Sequence, residues 1–282
     1  MMIELELETP PCPLCGSDSY SVAYGKFVPY KVVQCQDCNF YYLSPRPTEE
    51  AMTRLYSMDT YFAGQACGYS DYEAQEASLR ATFRNFLTNL AARNLVGGSL
   101  LEVGCGYGYL LDESKRFFHT RVGTEFSTEA VERAQQKADR VYQGGVEQVP
   151  THEYFDCIIA TQVIEHVHKP VHFVNQLSNH LKFGGKLVLA TPDMGSFWRR
   201  LMGHRWPSFK MPEHILYFDW QSLYNLLRNT GYENIISLSY PHAFPFSLIA
   251  SKLNLPLPSF LHSYSVWLPA TTIAVCGLRA TV

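Results

Sequence analysis

The chain has 282 residues, 46% of them hydrophobic and 17% charged, which excludes wholesale disorder and suits one α/β domain with an appendage. A net charge of −3 and an isoelectric point near 6.4 give no global attraction for a phosphate backbone, so nucleic acid is not the expected partner.

Met1–Pro11 is acidic at Glu4, Glu6 and Glu8 and has neither a basic start nor an apolar core, which reads against a secretory signal. Two C-x2-C pairs come next, Cys12-Pro-Leu-Cys15 and Cys35-Gln-Asp-Cys38, separated by 19 residues. Four thiolates at that spacing fit a tetrahedral Zn2+ site. Gly16 and Asn39, one after each pair, tolerate the positive φ that curls the chain and turns its amides toward sulfur. Two disulfides are the alternative, but they would not persist in a reducing compartment. A redox pair of the thioredoxin type would occur once and within a βαβ pattern. With every position filled by sulfur the metal is structural, a staple for a segment too small to stand on its own core. Cys67, Cys105, Cys157 and Cys276 lie singly; Cys105 and Cys157 read as small packing residues.

Tyr41–Pro47 is a proline-punctuated linker, so residues 1–47 are expected to form a zinc ribbon and linker. Residues 48–98 are expected to be a helical segment. It starts at Thr48-Glu49-Glu50 and passes through a loop over Tyr61–Tyr72. It then enters a helix with Leu79, Phe83, Phe86, Leu87 and Leu90 on one face, ended by Gly97-Gly98. From residue 99 to 282 strands and helices alternate. Strands are predicted at Ser99–Val103, Arg121–Glu125, Arg140–Gln143, Phe155–Ala160, Lys186–Thr191, Ile235–Ser239 and Thr271–Leu278. Helices are predicted at Tyr107–Phe118, from the Ser127 cap to about Asp139, at Pro170–Lys182 and at Trp220–Asn229. The pattern predicts a Rossmann-like α/β domain: a seven-stranded, mostly parallel sheet with helices on both faces. Aromatic stretches at 194–217 and 241–269 interrupt it and are expected to form lids over the carboxyl ends of the strands. No apolar run reaches the roughly 18 residues of a membrane span. The nearest, Tyr264–Leu278, is broken by Pro269, and the expected compartment is the cytoplasm.

Leu100-Leu101-Glu102-Val103-Gly104-Cys105-Gly106-Tyr107-Gly108 comes after a predicted strand and opens a helix. Its glycines let backbone approach a ligand closely. A dinucleotide fingerprint would need a small residue where Tyr109 stands. Glu125 ends the next strand, where a carboxylate can accept both hydroxyls of a ribose. Glu102, just before the loop, would repel a pyrophosphate but suits an ammonium or sulfonium group.

The stretch from Leu100 to Thr191 resembles a class I S-adenosylmethionine-dependent methyltransferase of the ubiquinone-biosynthesis type. The resemblance is carried by Glu102-Val103-Gly104-Cys105-Gly106, Gly123-Thr124-Glu125-Phe126-Ser127 and Phe155-Asp156-Cys157-Ile158-Ile159. Further support comes from Val163-Ile164-Glu165-His166-Val167, Leu181-Lys182-Phe183-Gly184-Gly185-Lys186-Leu187, Thr191-Pro192-Asp193 and Pro212-Glu213-His214-Ile215-Leu216-Tyr217-Phe218. A branch of that family carries N-terminal four-cysteine zinc ribbons. The resemblance implies that Gly104, Gly106 and Gly108 cradle the methionine part of S-adenosylmethionine, with Glu102 at the loop's entry. It implies that Glu125 binds the ribose, that Phe126 packs on adenine and that Gln162 lies near the methionine moiety. The family often has an acidic residue where this chain has Gly145, so the backbone of Val146 or the carboxylate of Glu147 is the expected substitute.

The sulfonium already activates the methyl group. The protein must align the nucleophile, exclude water and, for a hydroxyl acceptor, remove a proton. Of ten histidines, His166 after the fourth strand and His214 in the first aromatic stretch are the candidate bases, while His168, His172 and His180 read as exposed or capping. Glu165 and His166 together are too few ligands to define a cation site. The expected reaction is methyl transfer to a small organic acceptor, a hydroxyl oxygen first, in specialised metabolism or glycan tailoring. Open alternatives are an RNA methyltransferase gripping nucleic acid with its ribbon, C- or N-methylation of a lipid-like acceptor, and a binding module that has lost catalysis. Residues 241–269 leave room for lipid or peripheral membrane contact, and the chain for a monomer or homodimer.

Overall fold

The computed structural model describes residues 5–56, 72–246 and 264–280. Most of the loop expected over Tyr61–Tyr72, with Cys67, and residues 247–263 of the second aromatic stretch lie outside them.

The N-terminal part holds β1 (Leu7–Glu8), β2 (Tyr20–Phe27), β3 (Tyr30–Cys35), β4 (Tyr41–Leu43) and β5 (Arg46–Pro47). Then come α1 (Glu49–Tyr56), α2 (Glu76–Ala92), β6 (Ser99–Val103), α3 (Tyr109–Glu113), β7 (Thr120–Glu125), α4 (Thr128–Gln135), β8 (Arg140–Gln143) and β9 (Phe155–Thr161). The chain continues through α5 (Pro170–Asn179), β10 (Leu181–Pro192), α6 (Phe197–Met202), β11 (Leu216–Tyr217), α7 (Trp220–Asn229), β12 (Tyr232–Leu238), β13 (His242–Pro245), β14 (Ser265–Leu268) and β15 (Thr272–Arg279).

Seven strands form the main sheet in the order β12-β15-β10-β9-β6-β7-β8. β15 runs antiparallel to both its neighbours, and the other pairs are parallel. Leu100–Val103 and Cys157–Thr161 are buried without alternation, as strands covered on both faces must be. One face packs on α2 through Leu79, Phe83, Phe86, Leu87 and Leu90, the residues that the helical spacing singles out. The other face packs on Phe173, Val174 and Leu177 of α5 and Leu223, Leu226 and Leu227 of α7. β6 and β9 are neighbours, and the order runs outward from them in opposite directions, so a crevice opens at their carboxyl ends.

Element boundaries differ from the expected ones where local hydrogen bonds override periodicity. α2 stops at Ala92, before Gly97, with Asn94 left-handed at φ 57°. The helix expected over Tyr107–Phe118 starts at Tyr109, and Ser114 turns it into a 3-10 turn by bonding the Leu111 carbonyl. α4 ends at Gln135, short of Asp139, whose carboxylate takes the Arg121 amide. α5 ends at Asn179 because Leu181 is already paired with Phe155, and the register shifts between Leu181 and Lys186 to absorb Gly184-Gly185.

β2, β3 and β4 form a second sheet, completed at its edge by β11 from the first aromatic stretch. That stretch, residues 194–217, is not the expected lid. Phe209 packs instead against Tyr24 and Phe27 of β2, and the Arg199 guanidinium donates to the Tyr24 hydroxyl. The segment straps the N-terminal strands to the main domain.

Candidate functional site

A cavity of about 620 Å³ occupies the crevice at the ends of β6, β7 and β9. The bend after β6 forms its floor. The amides of Gly104 and Cys105 both donate to the Thr124 carbonyl, at 2.9 and 3.0 Å, which fastens the bend to β7. Gly104 and Gly106 have φ of 70° and 51°, and a Cβ would stand 2.7 Å from Val163 Cγ2 and 2.9 Å from the Tyr72 hydroxyl respectively. Only glycine leaves that surface open. Gly108, expected to touch a ligand, does not line the cavity; its φ of 74° starts α3, and the backbone of Ala134 lies 2.9 Å from where its Cβ would be.

Glu125 ends β7 with its carboxylate held by three amides. Oε2 accepts from Gly106 N at 2.9 Å, and Oε1 from Phe126 N at 2.7 Å and Ser127 N at 3.1 Å. Burial raises its pKa, and these amides offset only part of the rise. Glu102 sits one strand away, 2% exposed, and its Oε2 has no partner. Burial first, and the nearby Glu125 second, hold its carboxyl well above the usual range. Two more buried polar atoms at the cavity, Gln162 Nε2 and Thr124 Oγ1, have like Glu102 Oε2 no partner among the described residues. Gln162 holds a left-handed backbone at φ 57°. A buried unpaired group costs about 1–3 kcal/mol; three in one crevice fit a ligand that supplies partners, including a cation for Glu102. Phe126 is 45% exposed and lines the cavity, so it is not a core residue. Gly145, Val146 and Glu147 line the same end, and Glu147 Oε1 accepts from Gly145 N at 3.0 Å.

His166 lines the cavity, and its Nδ1–H donates to the Glu213 carbonyl at 3.0 Å. Burial lowers its pKa to about 4, which keeps the ring neutral. His214 lies behind it, outside the lining, its ring perpendicular at 4.8 Å and its Nδ1 on the Ser208 carbonyl. The expected lid base is therefore a buttress of His166. Glu165 completes this cluster. Oε2 accepts from Thr191 Oγ1 at 2.9 Å, Oε1 is unpaired, and burial raises the carboxyl to about 7. His168 and His180, read as exposed or capping, are buried on the carbonyls of Pro47 and Glu153.

No motif signals the far wall. Met52 and Thr53 of α1, Tyr72, Leu79 and Phe83 around α2, and His242 of β13 close it. The Glu49–Lys169 ion pair (2.9 Å) and His172 stand along its edge.

In the N-terminal sheet the four cysteine sulfurs lie within 4.8 Å of one another. Cys12–Cys38 and Cys15–Cys35 are each 3.5 Å apart, near the roughly 3.8 Å that tetrahedral bonds of about 2.3 Å require. Gly16 and Asn39 are left-handed, at φ 76° and 61°, and their amides return to the carbonyls of Cys12 and Cys35.

A family model described as a methyltransferase domain matches residues 74–237, more than half of the chain. A ubiquinone biosynthesis O-methyltransferase of Bradyrhizobium diazoefficiens is 27% identical over 156 residues, 48% of this chain and 62% of that protein. The chain thus spans less than two thirds of the length of this curated relative. Among solved structures, a S-adenosylmethionine-dependent methyltransferase of Thermotoga maritima superposes with a TM-score of 0.54 at 20% identity, over 74% of this chain and 94% of its own. A magnesium protoporphyrin IX methyltransferase of Synechocystis, solved with S-adenosylhomocysteine bound, superposes with a TM-score of 0.55 at 14% identity, over 83% and 100%. At these identities the two structures attest to the fold.

Proposed function

The chain belongs to the methyltransferase-domain family of class I S-adenosylmethionine-dependent enzymes, and on that premise we propose that it transfers a methyl group from S-adenosylmethionine to a hydroxyl oxygen of a small organic acceptor. The observation that carries this reading is the buried trio of unsatisfied polar atoms, Glu102 Oε2, Thr124 Oγ1 and Gln162 Nε2, beside an open glycine bend and an amide-held Glu125. In this reading Glu102 and Gln162 serve the amino-acid tail, with Gly104 and Gly106 leaving it room. Glu125 accepts the ribose hydroxyls, and Phe126, Val146 and Glu147 frame adenine. When bound, the cofactor supplies an electrophilic methyl group, and the protein's part is to orient the acceptor, exclude water and take a proton.

The cavity's largely apolar far wall favours a small molecule over RNA. The relative's name supports an oxygen acceptor, and whether the product serves specialised metabolism or glycan tailoring depends on the acceptor. We infer that Cys12, Cys15, Cys35 and Cys38 hold a structural Zn2+, which four free thiols within 4.8 Å support. Such a site suits a reducing compartment such as the cytoplasm. Among the described residues no helix is long and apolar enough to cross a membrane.

Calorimetric titration with S-adenosylhomocysteine tests the reading. Saturable 1:1 binding is expected, and Glu125→Ala should weaken it at least tenfold, about 1.4 kcal/mol, while Phe183→Ala, on the exposed surface outside the cavity, leaves it unchanged. No binding of either the methylated or the demethylated cofactor by folded protein would overturn it.

A further inference from the structure

His242 lies on β13, far in sequence from the glycine bend, yet its imidazole lines the same cavity. The ring stacks on Phe244, with centroids 4.3 Å apart and planes 18° off parallel. Its strand is fastened to α2, where Thr82 Oγ1 accepts from Ala243 N at 2.9 Å, and Ser78 bonds Ser265 of β14 at 2.7 Å. The position is thus fixed from two sides, while among the described residues neither ring nitrogen has a hydrogen-bond partner. The cavity's other half-buried histidine differs: Nδ1 of His166 is committed to the Glu213 carbonyl and its ring to His214.

We propose that His242 meets the acceptor: its imidazole receives the proton of an aromatic hydroxyl as that oxygen takes the methyl group. This role rests on the methyl-transfer reading. Met52, Leu79 and Phe83 line this wall with apolar side chains against which an aromatic ring can pack. In the step, an oxygen lone pair forms the O–CH3 bond and the S–CH3 bond breaks with its electron pair left on sulfur. The hydroxyl proton passes to a ring nitrogen of His242 and then to solvent. Buried without a charged partner, the ring stays neutral at physiological pH and so can accept.

Few charges bear on it. α2 faces β13 with Ser78, Thr82 and Phe86, its Arg80 and Arg84 being turned to Glu113, and β14 carries no titratable group. Tyr240 packs edge-on at 6.4 Å. The cavity lining also holds the carboxyls Glu49, Glu102, Glu125 and Glu147, the ammonium of Lys169, the phenol of Tyr72, and the imidazoles His166, His168 and His172.

Catechol is the probe, because its hydroxyl is un-ionised at neutral pH, with labelled S-adenosylmethionine as donor. Wild-type turnover should be flat between pH 6.5 and 8. In His242→Phe, which keeps the stack on Phe244, and in His242→Asn, which keeps a polar group, turnover should fall 10²–10⁴-fold and climb about tenfold per pH unit as solvent ionises the phenol. Affinity for S-adenosylhomocysteine should change less than twofold in both. Unchanged turnover or an unchanged pH profile in the variants overturns the role of His242. Failure of catechol to bind or react in wild type that binds S-adenosylhomocysteine overturns the aromatic-hydroxyl assignment alone. Loss of cofactor binding in wild type overturns the reading beneath it.

Discussion

Glu102 and Glu125 end neighbouring strands, yet the backbone treats their carboxylates differently. Three amides hold Glu125, whereas Glu102 has a buried oxygen with no partner and feels Glu125 beside it. Both pKa values are raised, Glu102's the more strongly, so the empty crevice favours a neutral Glu102. A ligand ammonium reverses that preference. It binds the ionised carboxylate, so association expels a proton, and affinity rises with pH until Glu102 is ionised before the ligand arrives. Calorimetry of S-adenosylhomocysteine binding in two buffers of different ionisation enthalpy should show proton release that declines as pH rises. Glu102→Gln should abolish both the release and the pH dependence. Equal proton release by wild type and variant would place the titrating group elsewhere. Glu102, Glu125, Gly104 and Gly106 line the cavity as the sequence suggests, because each is a residue type with a chemical reason to stand near a strand end or at a tight bend; Gly108 does not line it. His242 is not legible in this way: residues 241–269 are expected over the crevice, but no motif says which of their side chains enters its lining.

At the scale of elements, the sequence reads best where periodicity and capping agree. α7 spans Trp220–Asn229 as expected, with Asp219 and Ser222 closing a capping box. α4 begins at the Ser127 cap but ends early, since a side chain competing for a backbone group leaves no periodic trace. The clustering of the paired C-x2-C knuckles is equally legible, because the turns that gather their four sulfurs are local geometry written in spacing. β2 is exposed at six of its eight residues and adds little to the core that Val32, Val33, Tyr42 and Leu43 of β3 and β4 share with the main sheet. Under the zinc proposal, a bound ion adds local stability by tying Cys12 and Cys15 to Cys35 and Cys38. Purified protein should carry one zinc per chain by mass spectrometry, and cobalt exchange should give the intense thiolate-to-metal absorption of a four-sulfur site. Cys35→Ser or Cys38→Ser should lose the metal and lower the melting temperature. Metal-free protein with an unchanged melting temperature would contradict the staple.

Over the whole molecule, the aromatic content of residues 194–217 suggests a lid, but it measures an appetite for burial and not its direction. The direction is set by long-range pairing that no window of sequence contains. Leu216 and Tyr217 pair with Tyr42 and Tyr41, Ile215 N donates to the Glu165 carbonyl beside the cavity, and Leu43 N donates to the Ile215 carbonyl. Phe218, fully buried, packs on Phe40 at 4.9 Å between ring centroids. Val33, Tyr42 and Phe218 thereby join one apolar cluster with Leu101, Ile158 and Leu187 of the main sheet. A shared core makes the N-terminal sheet and the main domain unfold together. Calorimetry of metal-loaded protein should therefore show one transition, and in a variant with Trp198, Trp220 and Trp267 changed to Phe the fluorescence of Trp206, buried beside Phe209, should fall in urea with far-ultraviolet dichroism at one midpoint. Phe218→Ala, which empties the junction, should cost about 3–5 kcal/mol and move both signals equally. Two separated midpoints, or a Phe218→Ala variant that shifts the tryptophan signal alone, would mean that the strap joins two independently folding bodies.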